Sequence, residues 1–393
     1  MALFLFLTVF VCVEGGGSST LSNTLPRTDT AGKIIDAHDG NIVQDPTDTT
    51  LFYYFAAGYG DCEEPKGANG CASWCDNCGC GFFYNHSVNV YSTRDFIRWE
   101  NHGNVLPLGF PRPNSVLFSP KALYNKKNKE YVLWYNLMPP YNYAVATSAS
   151  PFGPFLTIAN TTALSTQFGK KFNNSNCGDF SLFADDDGTA YILYSSDAHA
   201  QIERLTDDYY ASTWATTGDT SGVFPHGNEA PAMFKHNGRY YALISDSCCY
   251  CGSGGQVRAF VAAAPLGPYT YTGDITKGDN PFNTGQVTTS SQQTNVFSVA
   301  GQAVWFGDRW QSAPEPTRFK AQDFTFWTVL GFLADGSVQN ISWSESGFLP
   351  PPPRFSAVCQ MSACRGLAWL IPLTAIFPHA HFPHYSPFCC NRR

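Results

Sequence analysis

Five times along the chain, an apolar strand, a turn built on Gly, Asn or Asp, and a second strand rich in aromatics follow one another, usually with a third strand behind. The first copy runs Asn41-Ile42-Val43, a turn at 45–48, Leu51 to Phe55, then Val88 to Ser92 and Trp99. The second is Pro120 to Tyr124, a turn at 126–129, Tyr131 to Tyr135 and Tyr143 to Thr147. The third starts at Phe180, the fourth at Ala232 and the fifth at Thr294, each with the same order of parts. No stretch has helical periodicity, so the chain is expected to be all-β. Units of about 50 to 80 residues with two hairpins each bury both faces only if they stack around an axis, which predicts a five-bladed β-propeller.

Three carboxylates stand at the same place in their copies, just ahead of the strand pair: Asp39 in His38-Asp39-Gly40-Asn41-Ile42, Asp179 in Gly178-Asp179-Phe180-Ser181-Leu182-Phe183, and Glu229 in Asn228-Glu229-Ala230-Pro231. The first strand of a blade lines the central channel, so three such residues from different blades are expected to face one another. Two carboxyl groups suffice to cleave a glycosidic bond, and a third nearby keeps the acid protonated, because like charges in a confined site raise one pKa. Asp39 before Gly40-Asn41 also reads as a turn residue capping its own backbone. Glu229 resists such a reading, since a Glu entering an apolar strand is costly to bury unpaired. Asp36 competes with Asp39 but stands farther from Ile42. His38 reads either as a group orienting a carboxylate or as a satisfied channel residue. Tyr54, Trp134 and Tyr135 are aromatics able to stack on sugar rings, although most such residues should be blade core.

Composition narrows the partners and the compartment. Only 14% of the 393 residues are charged and the net charge is −7, so no basic field exists to bind nucleic acid. The apolar run in 1–17, ending in Gly15-Gly16-Gly17, is too short to span a bilayer and has the layout of a signal peptide. Cys62, Cys71, Cys75, Cys78 and Cys80 crowd one stretch, and Cys248, Cys249 and Cys251 another. In an oxidising compartment they form disulfides, while the zinc-like spacing of Cys75, Cys78 and Cys80 lacks a second pair. Sequons at Asn85, Asn160, Asn173 and Asn340 agree with a secreted glycoprotein. The organisation expected is a signal peptide over 1–17, a propeller over 33–343, and an irregular tail over 344–393, whose apolar stretch is too short for a membrane helix. A secreted monomer is expected, with no membrane or nucleic-acid partner.

Over 35–343 the chain resembles glycoside hydrolase family 43, five-bladed propeller enzymes that include arabinanases, xylosidases and exo-β-1,3-galactanases. The stretch 38–42 is similar to that family's Asp-Pro-x-Ile base motif, 178–191 to the stretch bearing a pKa-modulating Asp, and 228–231 to the general-acid stretch. The resemblance implies Asp39 as general base, Asp179 as modulator and Glu229 as general acid in an inverting reaction on a poly- or oligosaccharide of galactan or arabinan type. Inversion requires the two working carboxyls to stand about 6.5 to 9.5 Å apart. Ala37-His38, Ser119 to Asn125 and Ser291 to Thr294 resemble the galactanase branch in particular. In that branch Gly commonly replaces the first Asp, and a fifth-blade Gln, here Gln292, is implicated in positioning water. His38, Gln292 and Trp134 are the substrate-binding candidates. The chain departs from the branch at Phe118, where a Glu two residues before Pro is usual. That departure leaves a silent sugar-binding propeller as one alternative, and a retaining invertase- or levansucrase-like enzyme with Asp39 as nucleophile as another. No cofactor is expected, apart from a central calcium ion of the kind some relatives carry.

Overall fold

The computed structural model describes residues 19–350 except 64–82, 85, 108–111, 113, 139–141, 160–176, 197–198, 226–228, 247–251 and 282. The signal peptide over 1–17, the cysteines at 71, 75, 78, 80, 248, 249 and 251, the sequons at 85, 160 and 173, and the tail beyond 350 lie outside the described residues.

The chain folds into antiparallel sheets, and five of these are blades made of consecutive strands. Blade I comprises His38–Gln44, Phe52–Gly58, Ser87–Thr93 and Glu100–Asn104. Blade II comprises Val116–Asn125, Glu130–Met138, Asn142–Ser148 and Leu156–Ala159. Blade III comprises Cys177–Ala184, Ala190–Ser196, His199–Arg204 and Thr220–Val223. Blade IV comprises Glu229–His236, Arg239–Ser245, Val257–Ala262 and Thr270–Asp274. Blade V has three strands, Gln292–Val299, Gln302–Arg309 and Phe324–Val329. The fourth strand of blades I to IV was not legible in the repeat. Those strands are short and at least partly exposed, with Glu100-Asn101-His102-Gly103-Asn104 carrying no apolar residue at all.

Alternation explains why the blades stack. In the second strand of blade I, Phe52, Tyr54 and Ala56 join a buried cluster with Phe297, Phe306 and Trp327 of blade V, while Tyr53 and Phe55 join one with Leu117, Leu133 and Tyr135 of blade II. The same division recurs between II and III, III and IV, and IV and V, so five apolar interfaces serve five blades and the ring closes. A fully buried large side chain contributes about 1.5–3 kcal/mol, and Trp99, Trp134, Trp305 and Trp327 all lie in these seams.

The ends of the domain differ from the expected bounds of 33 and 343. Ser19–Ser22 pairs antiparallel with Ser346–Leu349, and Leu21 and Leu349 enter the seam between blades V and I. Asn23 holds this latch in place: its side chain accepts from the Trp327 N–H and donates to the Trp327 carbonyl. Part of the stretch expected to be irregular is therefore a strand that fastens the ring.

Candidate active site

Every blade's first strand breaks register with its neighbour at one point. The shift falls between His38 and Asn41, Phe118 and Lys121, Cys177 and Phe180, Glu229 and Ala232, and Gln293 and Asn295. A bulge bends the strand and re-aims its side chains. Asp39, Ser119 and Ala230 take left-handed backbone angles there, with φ of 53°, 47° and 43°. The three carboxylates prove not to be equivalent in register. Glu229 directly precedes its bulge, Asp39 is the first residue within one, and Asp179 is the second. Offsets of one residue reverse a regular strand's side chain. The bulges are what bring the three acids to one end of the channel.

A closed circuit of polar contacts links the blades at this end. From I to II, Lys121 donates its Nζ to the Asp39 carbonyl. From II to III, Ser119 donates to Asp179 Oδ1 at 2.7 Å. From III to IV, the Ala230 N–H reaches Asp179 Oδ2 at 3.2 Å. Between IV and V, Gln293 Nε2 donates to the Ala230 carbonyl at 2.6 Å. From V back to I, the Asp39 N–H donates to Asp308 Oδ2 at 2.8 Å.

Glu229 is partly accessible to solvent, yet the surrounding protein desolvates it, and that is the chief reason its carboxyl is pushed well above the usual range. The nearby Asp179 charge, a hydrogen bond to Asp179 and the more distant Asp39 add to the rise. That shift favours the protonated carboxyl, the form able to give up a proton. Asp39 is also raised, by desolvation first and then by the Asp308 and Asp179 charges, while a 2.5 Å hydrogen bond from the Tyr59 hydroxyl and the Lys121 cation pull it down. Lys121 is buried and lowered by desolvation, with Asp39, Asp179 and Asp308 opposing that loss of charge.

The remaining candidates are placed as follows. Asp36 accepts the N–H groups of Tyr59 and Gly60 at 2.8 and 2.9 Å, so it fastens the turn that carries Tyr59. His38 is fully buried, packed against the rings of Tyr59 and Trp310 and 3.4 Å from Asp308, so its side chain exposes almost no surface. Gln292 accepts from Trp310 Nε1 at 2.7 Å, which leaves its amide N–H groups as what it can offer a ligand. Trp134 is a correction: it is wholly buried in the seam between blades II and III, donating to the Tyr209 carbonyl at 2.8 Å, and cannot stack on a sugar. Tyr54 and Tyr135 are likewise seam residues. Among the described residues no group of three or more His, Cys, Asp or Glu is arranged to hold a metal ion.

Sequence reading assigned no role to Tyr59, Lys121 or Asp308. Lys121 carried a signal as the lone charge of its strand, followed by Ala122-Leu123-Tyr124, whereas Asp308 shares its strand with Arg309 and did not stand out. Phe118 occupies the position before the bulge that Glu229 holds in blade IV, and packs half-buried beside Tyr59, Met138 and Trp310.

The model of glycosyl hydrolases family 43 matches residues 79–306, more than half of the chain. The chain belongs to this family. Two relatives agree. The chain is 27% identical over 228 residues to a β-D-galactofuranosidase of Aspergillus niger, covering 54% of this chain and 63% of the relative. It is 24% identical over 226 residues to an arabinoxylan arabinofuranohydrolase of Bacillus subtilis, covering 50% of this chain and 43% of the other. The chain thus spans less than two thirds of the length of these curated relatives. The structure is similar to that of an exo-β-1,3-galactanase from Phanerochaete chrysosporium solved with galactose, at a TM-score of 0.60 and 26% identity, over 84% of this chain and 68% of that one. Membership of family 43 agrees with the five-bladed propeller.

Proposed function

We propose that this family 43 chain is a secreted glycoside hydrolase that cleaves O-glycosidic bonds of galactan- or arabinan-type side chains with inversion. Glu229 is the acid, Asp39 the base and Asp179 the modulator. The observation that carries this reading is the Glu229–Asp179 pair: a desolvated Glu held protonated by a second carboxylate that Ser119 and the Ala230 N–H fix in place. As the leaving oxygen departs, Glu229 gives it a proton. Asp39, once ionised, takes a proton from the attacking water on the other face of the sugar. Tyr59 orients the Asp39 carboxyl throughout.

The substrate class rests on likeness to the galactanase and to enzymes acting on galactofuranose and arabinofuranose. Phe118 adds an apolar surface beside Tyr59 and Trp310, a place for the apolar face of a sugar ring in a site that lacks the acid expected there. Secretion is supported by Cys62, which is disulfide-bonded, and by Asn340, an exposed sequon.

Incubation with aryl glycosides and with galacto- and arabino-oligosaccharides tests the reading. Wild type should release product, and Glu229→Gln should lose about 10²–10⁴-fold. Binding without Glu229-dependent release would sink the enzyme reading in favour of a sugar-binding propeller. Proton NMR of the first-formed anomer checks inversion.

A further inference from the structure

We propose that Asp308, on the second strand of blade V, is a positioning residue that fixes the backbone of Asp39 across the blade V to blade I seam and acts on its carboxyl at close range. Asp308 is fully buried. One oxygen, Oδ2, accepts both the Asp39 N–H at 2.8 Å and the Thr294 hydroxyl at 3.0 Å, and the other, Oδ1, stands 3.4 Å from His38 Nδ1. His38 and Asp39 are adjacent, so Asp308 grips two consecutive residues at the start of the bulge. That grip matters because Asp39 sits at a φ of 53°, a left-handed conformation uncommon for a non-glycine residue, although Asp is among the side chains that tolerate it best.

The same placement has an electrostatic effect. The groups facing the Asp39 carboxyl are Tyr59 and Tyr54 from its own blade, Lys121 from II, Asp179 from III, Glu229 from IV and Asp308 from V, with His38 beside it in the chain. Of the neighbouring charges, Asp308 raises Asp39 most, ahead of Asp179. His38 counters part of this. Burial alone would lower its pKa, but Asp308 and then Asp36 and Asp323 lift it to about 9, so it is a cation at neutral pH and partly neutralises Asp308. Asp308 touches no reacting atom. It acts through the backbone and the charge state of Asp39.

The inference concerns the residue read above as the base and is tested apart from that reading. The full chain carrying ¹³Cγ-labelled aspartate is titrated by NMR, with Asp39→Asn assigning the Asp39 signal. Asp308→Asn keeps an acceptor for the Asp39 N–H but removes the charge, and should lower the Asp39 midpoint by about one pH unit. His38→Gln removes the compensating cation and should move the same midpoint upward. Opposite shifts support the inference, because general loosening of the site would move both variants the same way. An unmoved midpoint, or shifts of one sign, overturns it. If Asp308→Asn fails to fold, an upward shift in His38→Gln supports the inference and its absence overturns it. Kinetics then separate the two readings. Should Asp39→Asn retain wild-type turnover, the base assignment fails while the titration result stands. If Asp39 is the base, the acid limb of kcat/KM in Asp308→Asn moves down with the midpoint.

Discussion

The two mouths of the propeller channel are built from the same five strands and differ in almost every physical respect. At the N-terminal ends, bulges break the ladders, three residues take left-handed angles, and buried charges face one another. At the C-terminal ends the strands are regular, and Ile42, Leu123, Leu182, Phe234 and Phe297 line a cavity of about 350 Å³. Charges at that mouth are paired near solvent: Lys235 reaches Asp185 at 2.7 Å and Asp186 at 2.8 Å, and Tyr240 donates to Asp185. These contacts hold Asp185 below its ordinary range, although the part of it that is desolvated pulls the other way. Glu229 and Asp39 are raised at one mouth, and Asp185 is lowered at the other. Desolvated like charges suit chemistry, whereas solvated opposite charges do little beyond local order.

That contrast can be broken or sharpened in four steps of decreasing size. Glu229→Gln at the bulged mouth should remove about 10²–10⁴-fold of turnover, measured on whichever glycoside the wild type cleaves. It should also raise the melting temperature at neutral pH. A carboxyl whose folded pKa lies above its unfolded value costs stability as pH climbs past the unfolded value, and Gln has no charge to desolvate. A lower melting temperature would count against the protonated state of Glu229. Next, Asp179→Asn should cost about 10²-fold and shift the alkaline limb of the pH–rate profile to lower pH. Without the Asp179 charge, Glu229 ionises sooner and the acid is lost earlier; an unmoved limb would contradict the pairing.

The third step sits between the mouths. Asn41 donates to the Ala122 carbonyl at 2.8 Å and accepts the Ala122 N–H at 2.9 Å, stapling blade I to blade II inside the channel. Asn41→Ala leaves both backbone groups unmatched, and chemical denaturation should show a loss of about 2–4 kcal/mol. The smallest effect belongs to the other mouth. Asp185→Asn should change turnover less than about twofold, since surface pairs contribute about 1 kcal/mol or less and none of its contacts reaches the carboxylates. A large kinetic effect there would abolish the distinction between the mouths.

Much of the fold was legible because the code is short in range. Aromatic runs such as Leu51 to Phe55 and Tyr131 to Tyr135, cut by turn residues, mark the inner strands of each blade wherever they occur. The outermost strands escaped because their pairing depends on one neighbour only and little of their surface is buried. Trp134 was misread for a related reason: its composition says aromatic, and only the packing of blade II on blade III says which way it faces. At the site, Glu229 and Asp179 were visible as acids that an apolar strand would otherwise exclude. Asp308 was not, since its partners Asp39 and His38 lie some 270 residues away and meet it only when the last blade closes on the first.

By itself, the sequence determined the five repeated strand units and hence a radial all-β fold, since alternating apolar residues on both faces of each strand demand neighbours on both sides. It also determined which carboxylates were available for chemistry. Only the tertiary structure decided how they meet. The bulges rotate Asp39, Asp179 and Glu229 from three unequal register positions to one mouth, and ring closure sets Asp308 beneath Asp39. Both depend on contacts between blades, and no local stretch of sequence contains those.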